Sequence, residues 1–283
     1  MMEDVAPKLL NNITEDFGVL FDANSIISDV YKKIKDGTAT YDDATKFSIE
    51  VGEALVQAFK NNLSSATLPD GKMYYNIGKR VVEPLMIDDF DLVSDICRQI
   101  QDILNKKANI GIKAIKPDLN HDRIDGIINR LSSESDFDEV AWILDEPVRN
   151  FSQSIVDEVA KINAAFQYDA GLSPKIERVI AGNCCDWCKS LVGTYNYPDV
   201  PQDVYRRHDY CRCKVEFVAG KTKRNVHNNN VSQRRYVQNN YGGYEMAKKA
   251  RIERAKQMSA TEKERKESAR QKRIETLGNK SKK

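Results

Sequence analysis

Five of the six cysteines and one of the three histidines lie between Cys184 and Lys214. They form a Cys185-x2-Cys188 pair, then nineteen intervening residues, then a His208-x2-Cys211-x-Cys213 ending. Thiolates and imidazoles at such spacing suit zinc. The ion takes four of them in a tetrahedron, and two short ligand pairs from separate segments can staple a small, loop-rich module. Two residues between Cys185 and Cys188 let one tight turn aim both sulfurs at a point. Cys211 and Cys213 are two apart, so on a strand they face the same side. His208 precedes Cys211 by three, a one-turn separation. The candidate metal ligands are therefore Cys185, Cys188, His208, Cys211 and Cys213, one more than zinc needs. Cys184 is set aside first, because its neighbour Cys185 already occupies the turn.

Other chemistries compete for these residues. Disulfides need an oxidising compartment, and the N-terminal MMEDVAPKLL has neither the basic region nor the long apolar stretch of a secretory signal. A redox Cys-x2-Cys needs a βαβ context that the flanking residues do not offer. Buried thiols without a metal are the third alternative. Structural zinc explains the cluster best. A catalytic ion keeps an open position for water, and a cysteine-rich set of this size argues for a closed site. The chain has no P-loop, no Rossmann glycine pattern, no G-x-S-x-G and no H-E-x-x-H.

The residues around the ligands add a family likeness. Cys185-Asp-Trp-Cys188 with Gly193 beyond it, followed by His208-Asp-Tyr-Cys211-Arg-Cys213, resembles the Mu F-like phage head-morphogenesis (minor capsid) proteins. That family's signature runs C-x2-C-x4-G and then H-P-x-C-R-C; Asp209 stands here in the proline's place. The resemblance covers about residues 150–220. It implies a virion structural protein, present in few copies in the phage head and in the host cytoplasm during assembly. The implied partners are the portal protein and the major capsid protein, and the implied role is in head morphogenesis or DNA delivery. The expectation is no enzymatic activity, no small-molecule substrate and no membrane. The alternative is a zinc-stapled nucleic-acid-binding protein or a metal-dependent nuclease, with His208-Asp209 as a general base beside the ion.

The rest of the chain must position this cluster. The chain is 41% hydrophobic and 30% charged, with a mean hydropathy of −0.58, and no apolar run approaches a membrane span. Its charge is split. Lys221 to Lys283 carries 19 basic and 6 acidic residues, net +13, and residues 1–220 are net −11. An acidic body with a basic tail implies two kinds of partner, DNA being the one expected for the tail. Arg234, Arg235, Tyr236, Tyr241 and Tyr244 add base-stacking capacity there.

The pattern predicts a mostly α fold in three parts. A helical body spans 1–170, a small α+β zinc-stapled module spans 171–220, and a basic, partly helical or disordered tail spans 221–283. Within 3–35 the expectation is two helical pieces, broken near Ala6-Pro7, with Thr14 capping the second and Asp36-Gly37 closing it. Thr40 then starts a helix whose stripe is Ala44, Phe47, Val51, Ala54, Leu55 and Phe59. Separate helices follow over 73–82 and 87–107, the latter with Cys97 on its apolar face. Asn120 or His121 opens a short helix, and Pro147 sits in the first turn of a long one. Trp142 is expected in the core. His121 is expected to be a capping or surface residue. In the module, 191–195 and 214–218 read as partner strands, whereas 175–180 alternates poorly. Trp187 is expected to cover the metal.

Overall fold

The computed structural model describes residues 4–182 and 184–220, and the basic tail expected over 221–283 lies outside them. Six helices build the body: α1 (Ala6–Asp22), α2 (Ser25–Lys35), α3 (Tyr41–Asn62), α4 (Tyr75–Lys107), α5 (His121–Leu131) and α6 (Glu146–Asp169). The module follows as β1 (Lys175–Val179), α7 (Asp186–Ser190), β2 (Gly193–Asn196) and β3 (Lys214–Val218). Among the described residues, no helix is long and apolar enough to cross a membrane.

Local signals explain most helix ends. Asn24 caps α2, its side-chain oxygen accepting from the Ile26 and Ile27 amides. Gly37, at φ +67°, takes the left-handed turn that lets the chain leave α2. At the start of α3 the Asp43 carboxylate accepts from both the amide and the hydroxyl of Thr40. Asn120 caps α5 through the Arg123 amide, which leaves His121 as the first, exposed residue of that helix. Pro147 occupies the first turn of α6, where its missing N–H has no partner to lose.

Several expectations are corrected. Thr14 is no cap: α1 runs from Ala6 through it, and its hydroxyl donates to the Leu10 carbonyl. The break falls instead at Asn24. The two helices expected over 73–82 and 87–107 are one, α4, which continues through Pro84. Val81, Val82, Leu85 and Met86 are all buried around that proline, so packing on both sides holds the helix across the lost hydrogen bond. Trp142 is 56% exposed, because the chain from Phe137 to Leu144 forms two short 3-10 turns and not a helix.

The central contact is α3 against α6, with α4 beside both. The expected α3 stripe is buried at every position. Gly52 permits the close approach: a Cβ there would meet the Ser152 hydroxyl at 2.8 Å. Tyr41, Gln101, Asn105 and Gln167 link α3, α4 and α6 through buried hydrogen bonds of 2.6–2.8 Å. Cys97 is fully buried.

The three strands form one antiparallel sheet in the order β2-β1-β3. The expected β2–β3 pairing is therefore corrected. The weakly alternating 175–179 segment is the middle strand, with Arg178 opposite Gly193 on one side and Val215 on the other. Ile176, Val215 and Phe217 join the same hydrophobic core as the helices. Phe217 packs on Tyr41 of α3, and Lys214 pairs with Asp42. Sheet and helices share one core, and all the described residues fall within one compact unit.

Candidate metal centre

The first donor pair sits on α7. Cys185 is its N-cap, and its sulfur accepts from the Cys188 amide at 3.4 Å. That N–H favours the thiolate, so the Cys185 thiol is held below its ordinary range. Cys188, one turn on, faces inward and is buried. Burial pushes its thiol up to about 12, against the neighbouring Arg178 guanidinium, which acts to lower it.

The second set comes from the 206–213 segment, which α6 holds from below. Arg207 makes a bidentate pair with Asp157, and the two side chains are 3% and 2% exposed. The same guanidinium donates to Gln153 and to the Cys213 carbonyl, each at 3.0 Å. Beyond it the chain turns tightly, the Cys211 amide donating to the His208 carbonyl at 3.1 Å. The turn puts Tyr210 at φ +59°, a conformation unfavourable for a bulky residue. Glu146 offsets that cost. One of its oxygens accepts from the Tyr210 amide and from Arg212, both at 2.8 Å.

His208 is oriented for ligation. Its Nδ1 lies 2.6 Å from the Asp209 carbonyl oxygen, which can only accept. Nδ1 therefore carries the hydrogen, and the Nε2 lone pair is free. Nε2 points at the thiols, 3.3 Å from Cys185 Sγ and 3.1 Å from Cys188 Sγ. Cys188 Sγ in turn lies 3.7 Å from Cys211 Sγ. Two donor groups result, Cys185/Cys188/His208 and Cys188/Cys211/Cys213, and within each the ligand atoms lie within 4.8 Å of one another. All five sequence-predicted ligands converge, with Cys188 common to both groups. Cys184 joins neither group and neighbours Cys213, which helps raise its thiol above the ordinary range after burial, the larger cause. The ring of Trp187 stands edge-on to His208, centroids 5.7 Å apart, on one side of the cluster.

No family model, curated protein or solved structure matches the chain. The site is read from its own residues. A cluster of cysteine sulfurs around one correctly turned imidazole nitrogen could hold a metal ion. His121 joins no donor group among the described residues, and His227 lies outside them.

The strand pattern hid one residue of the site. Arg178 is 1% exposed, and its Nη2 donates to Cys188 Sγ and Cys211 Sγ, each at 3.6 Å. Nη1 donates to the carbonyls of Val204 and Arg206. The alternation of 175–179 looked poor because an arginine occupies an inward position. A positive charge placed two residues after an inward Ile176, close to a Cys-x2-Cys, is the signal that could have found it.

Proposed function

We propose that this chain is a phage minor head protein, a portal-associated virion component without enzymatic activity, and that a structural zinc ion closes its cysteine module. The observation that carries the metal reading is the convergence of five donors from two segments, with the His208 Nε2 lone pair turned onto the thiols. Five cysteine and histidine donors leave no place for water on a four-coordinate ion, which favours a structural site over a catalytic one. Zinc–thiolate binding contributes on the order of 10 kcal/mol or more in small modules, enough to decide whether so short a segment folds. The virion reading is supported by the likeness of Cys185-x2-Cys188 and His208-x2-Cys211-Arg-Cys213 to the Mu F-like proteins, and by the acidic body and basic tail. Portal and major capsid proteins are its proposed partners.

Elemental analysis of the purified protein should find about one zinc per chain. Chelation should remove the near-ultraviolet signal of Trp187 while most of the far-ultraviolet helical signal stays. A metal-free protein with the module folded overturns the metal reading. Mass spectrometry of purified particles tests the virion reading, which falls if the chain is absent from particles whose portal is detected. Plasmid DNA should stay intact with Mg²⁺, Mn²⁺ or Zn²⁺. Cleavage that disappears in a folded His208→Ala variant would move the protein to the nuclease reading.

A further inference from the structure

We infer that Arg178 is the fixed counter-charge of the metal centre, set against the thiolates of Cys188 and Cys211. The inference rests on the metal-staple reading and deepens it. It starts from a guanidinium that burial makes costly. An arginine inside a protein cannot shed its proton, so it must find an anion or dipoles. Among the described residues Arg178 makes no ion pair with a carboxylate. Its hydrogen-bond partners are two carbonyls and two sulfurs, and its Nε has none.

One buried carboxylate, Asp157, lies within electrostatic reach of Arg178, but it is engaged through both oxygens by Arg207, so that pair is neutral as a unit. A further guanidinium near it, Arg123, borders a cleft of about 530 Å³ where solvent can reach. Arg178 has no such outlet. Its side chain is buried beside the Trp187 ring, whose centroid lies 5.6 Å from its Cζ. The groups able to carry negative charge that it touches directly are the two sulfurs.

Cys188 belongs to both donor groups and Cys211 to one of them. A divalent ion held by either group therefore places at least one thiolate against the guanidinium. A divalent ion on more than two thiolates carries net negative charge, and Arg178, 3.6 Å from two of the sulfurs, offsets it.

The test is a zinc competition titration against a chelator on the full chain. Arg178→Met should weaken zinc binding about 10–100-fold, the range for groups that support metal ligands. Arg178→Lys keeps the charge and should recover most of that loss. Should Arg178→Met fail to fold around metal, the lysine variant decides. Near-native affinity supports the charge argument, and affinity more than about 10-fold below native overturns it. Equal binding by Arg178→Met and the native chain also overturns it. A native chain that binds no metal removes the staple reading itself, a result distinct from these.

Discussion

Two buried carboxyl groups on neighbouring helices show how context sets a residue's role. Asp157 on α6 is pushed up by burial and held against that by bidentate Arg207, so it works as an ion-pair anchor for the segment that carries His208. Removing one member of such a pair strands the other charge, at a cost of about 3–5 kcal/mol. Asp157→Asn should therefore lower the denaturation midpoint and weaken zinc binding together, because Arg207 also holds the Cys213 carbonyl. An Asp157→Leu, Arg207→Met double variant should recover a large part of the stability; if it is as unstable as Asp157→Asn, stranded charge is not the cause. Asp89 on α4 pairs with no cation among the described residues. Burial raises its carboxyl to about 7, opposed by the Ser152 hydroxyl at 2.8 Å, and its other oxygen has no partner. A folded-state value above the unfolded one means the folded protein holds the proton longer. The stability this brings is complete below about pH 4 and is lost as pH rises toward about 7. Asp89→Asn cannot ionise, so it should be more stable than the native chain by about 2–4 kcal/mol at pH 8, with no gain near pH 4. Urea midpoints at the two pH values measure this, and an equal shift at both would remove the assignment.

Packing between elements decides which sequence signals survive. α4 and α5 meet at Gly78, where an added Cβ would lie 2.8 Å from Ile128 Cγ2. Ile128 is fully buried and β-branched, so it cannot swing aside cheaply. Gly78→Ala should destabilise the protein by about 1–3 kcal/mol in spite of alanine's better helix propensity. In an Ile128→Ala background the same change should be neutral or stabilising, and a double-mutant cycle without coupling would discard the contact. The α3 stripe, the Thr40 start, the Pro147 start and the clustering of the five candidate donors were legible in the sequence, because periodicity, capping and donor spacing are local. The rest was set from outside each segment. Pro84 stays helical since its neighbours are buried on both sides. Trp142 is exposed on a short 3-10 turn whose inward positions are taken by Ile143 and Leu144. The poorly alternating 175–179 strand became the centre of the sheet, and the inward Arg178 that spoiled its pattern is satisfied by carbonyls and sulfurs from segments about 10–33 residues away. The helical body and the module were read as successive parts. The strands complete a core that the helices begin, with α6 the bed for both.

At the scale of the whole molecule, the charge of +2 conceals two bodies of opposite sign. Residues 1–220 are net −11, and Lys221 to Lys283 is net +13. An acidic body repels a polyanion, so the proposed nucleic-acid contact falls to the tail. Lys and Arg that neutralise phosphates release condensed counterions, and affinity then falls steeply with salt. If about six of the 19 basic residues engage phosphate, binding should weaken roughly a thousandfold between 50 and 200 mM salt. Arg234, Arg235, Tyr236, Tyr241 and Tyr244 add stacking faces that tolerate any base, so the contact should show no sequence preference and should extend to single strands. Titration of labelled DNA with the full chain, and with a truncation after Gly220, separates the two bodies. The full chain should bind with the stated salt dependence and the truncation should not bind. Equal binding by both, or binding indifferent to salt, would place the DNA contact elsewhere. A tail that instead docks on the acidic body would give a different result: the truncation would lose thermal stability, most strongly at low salt, and the full chain would ignore DNA.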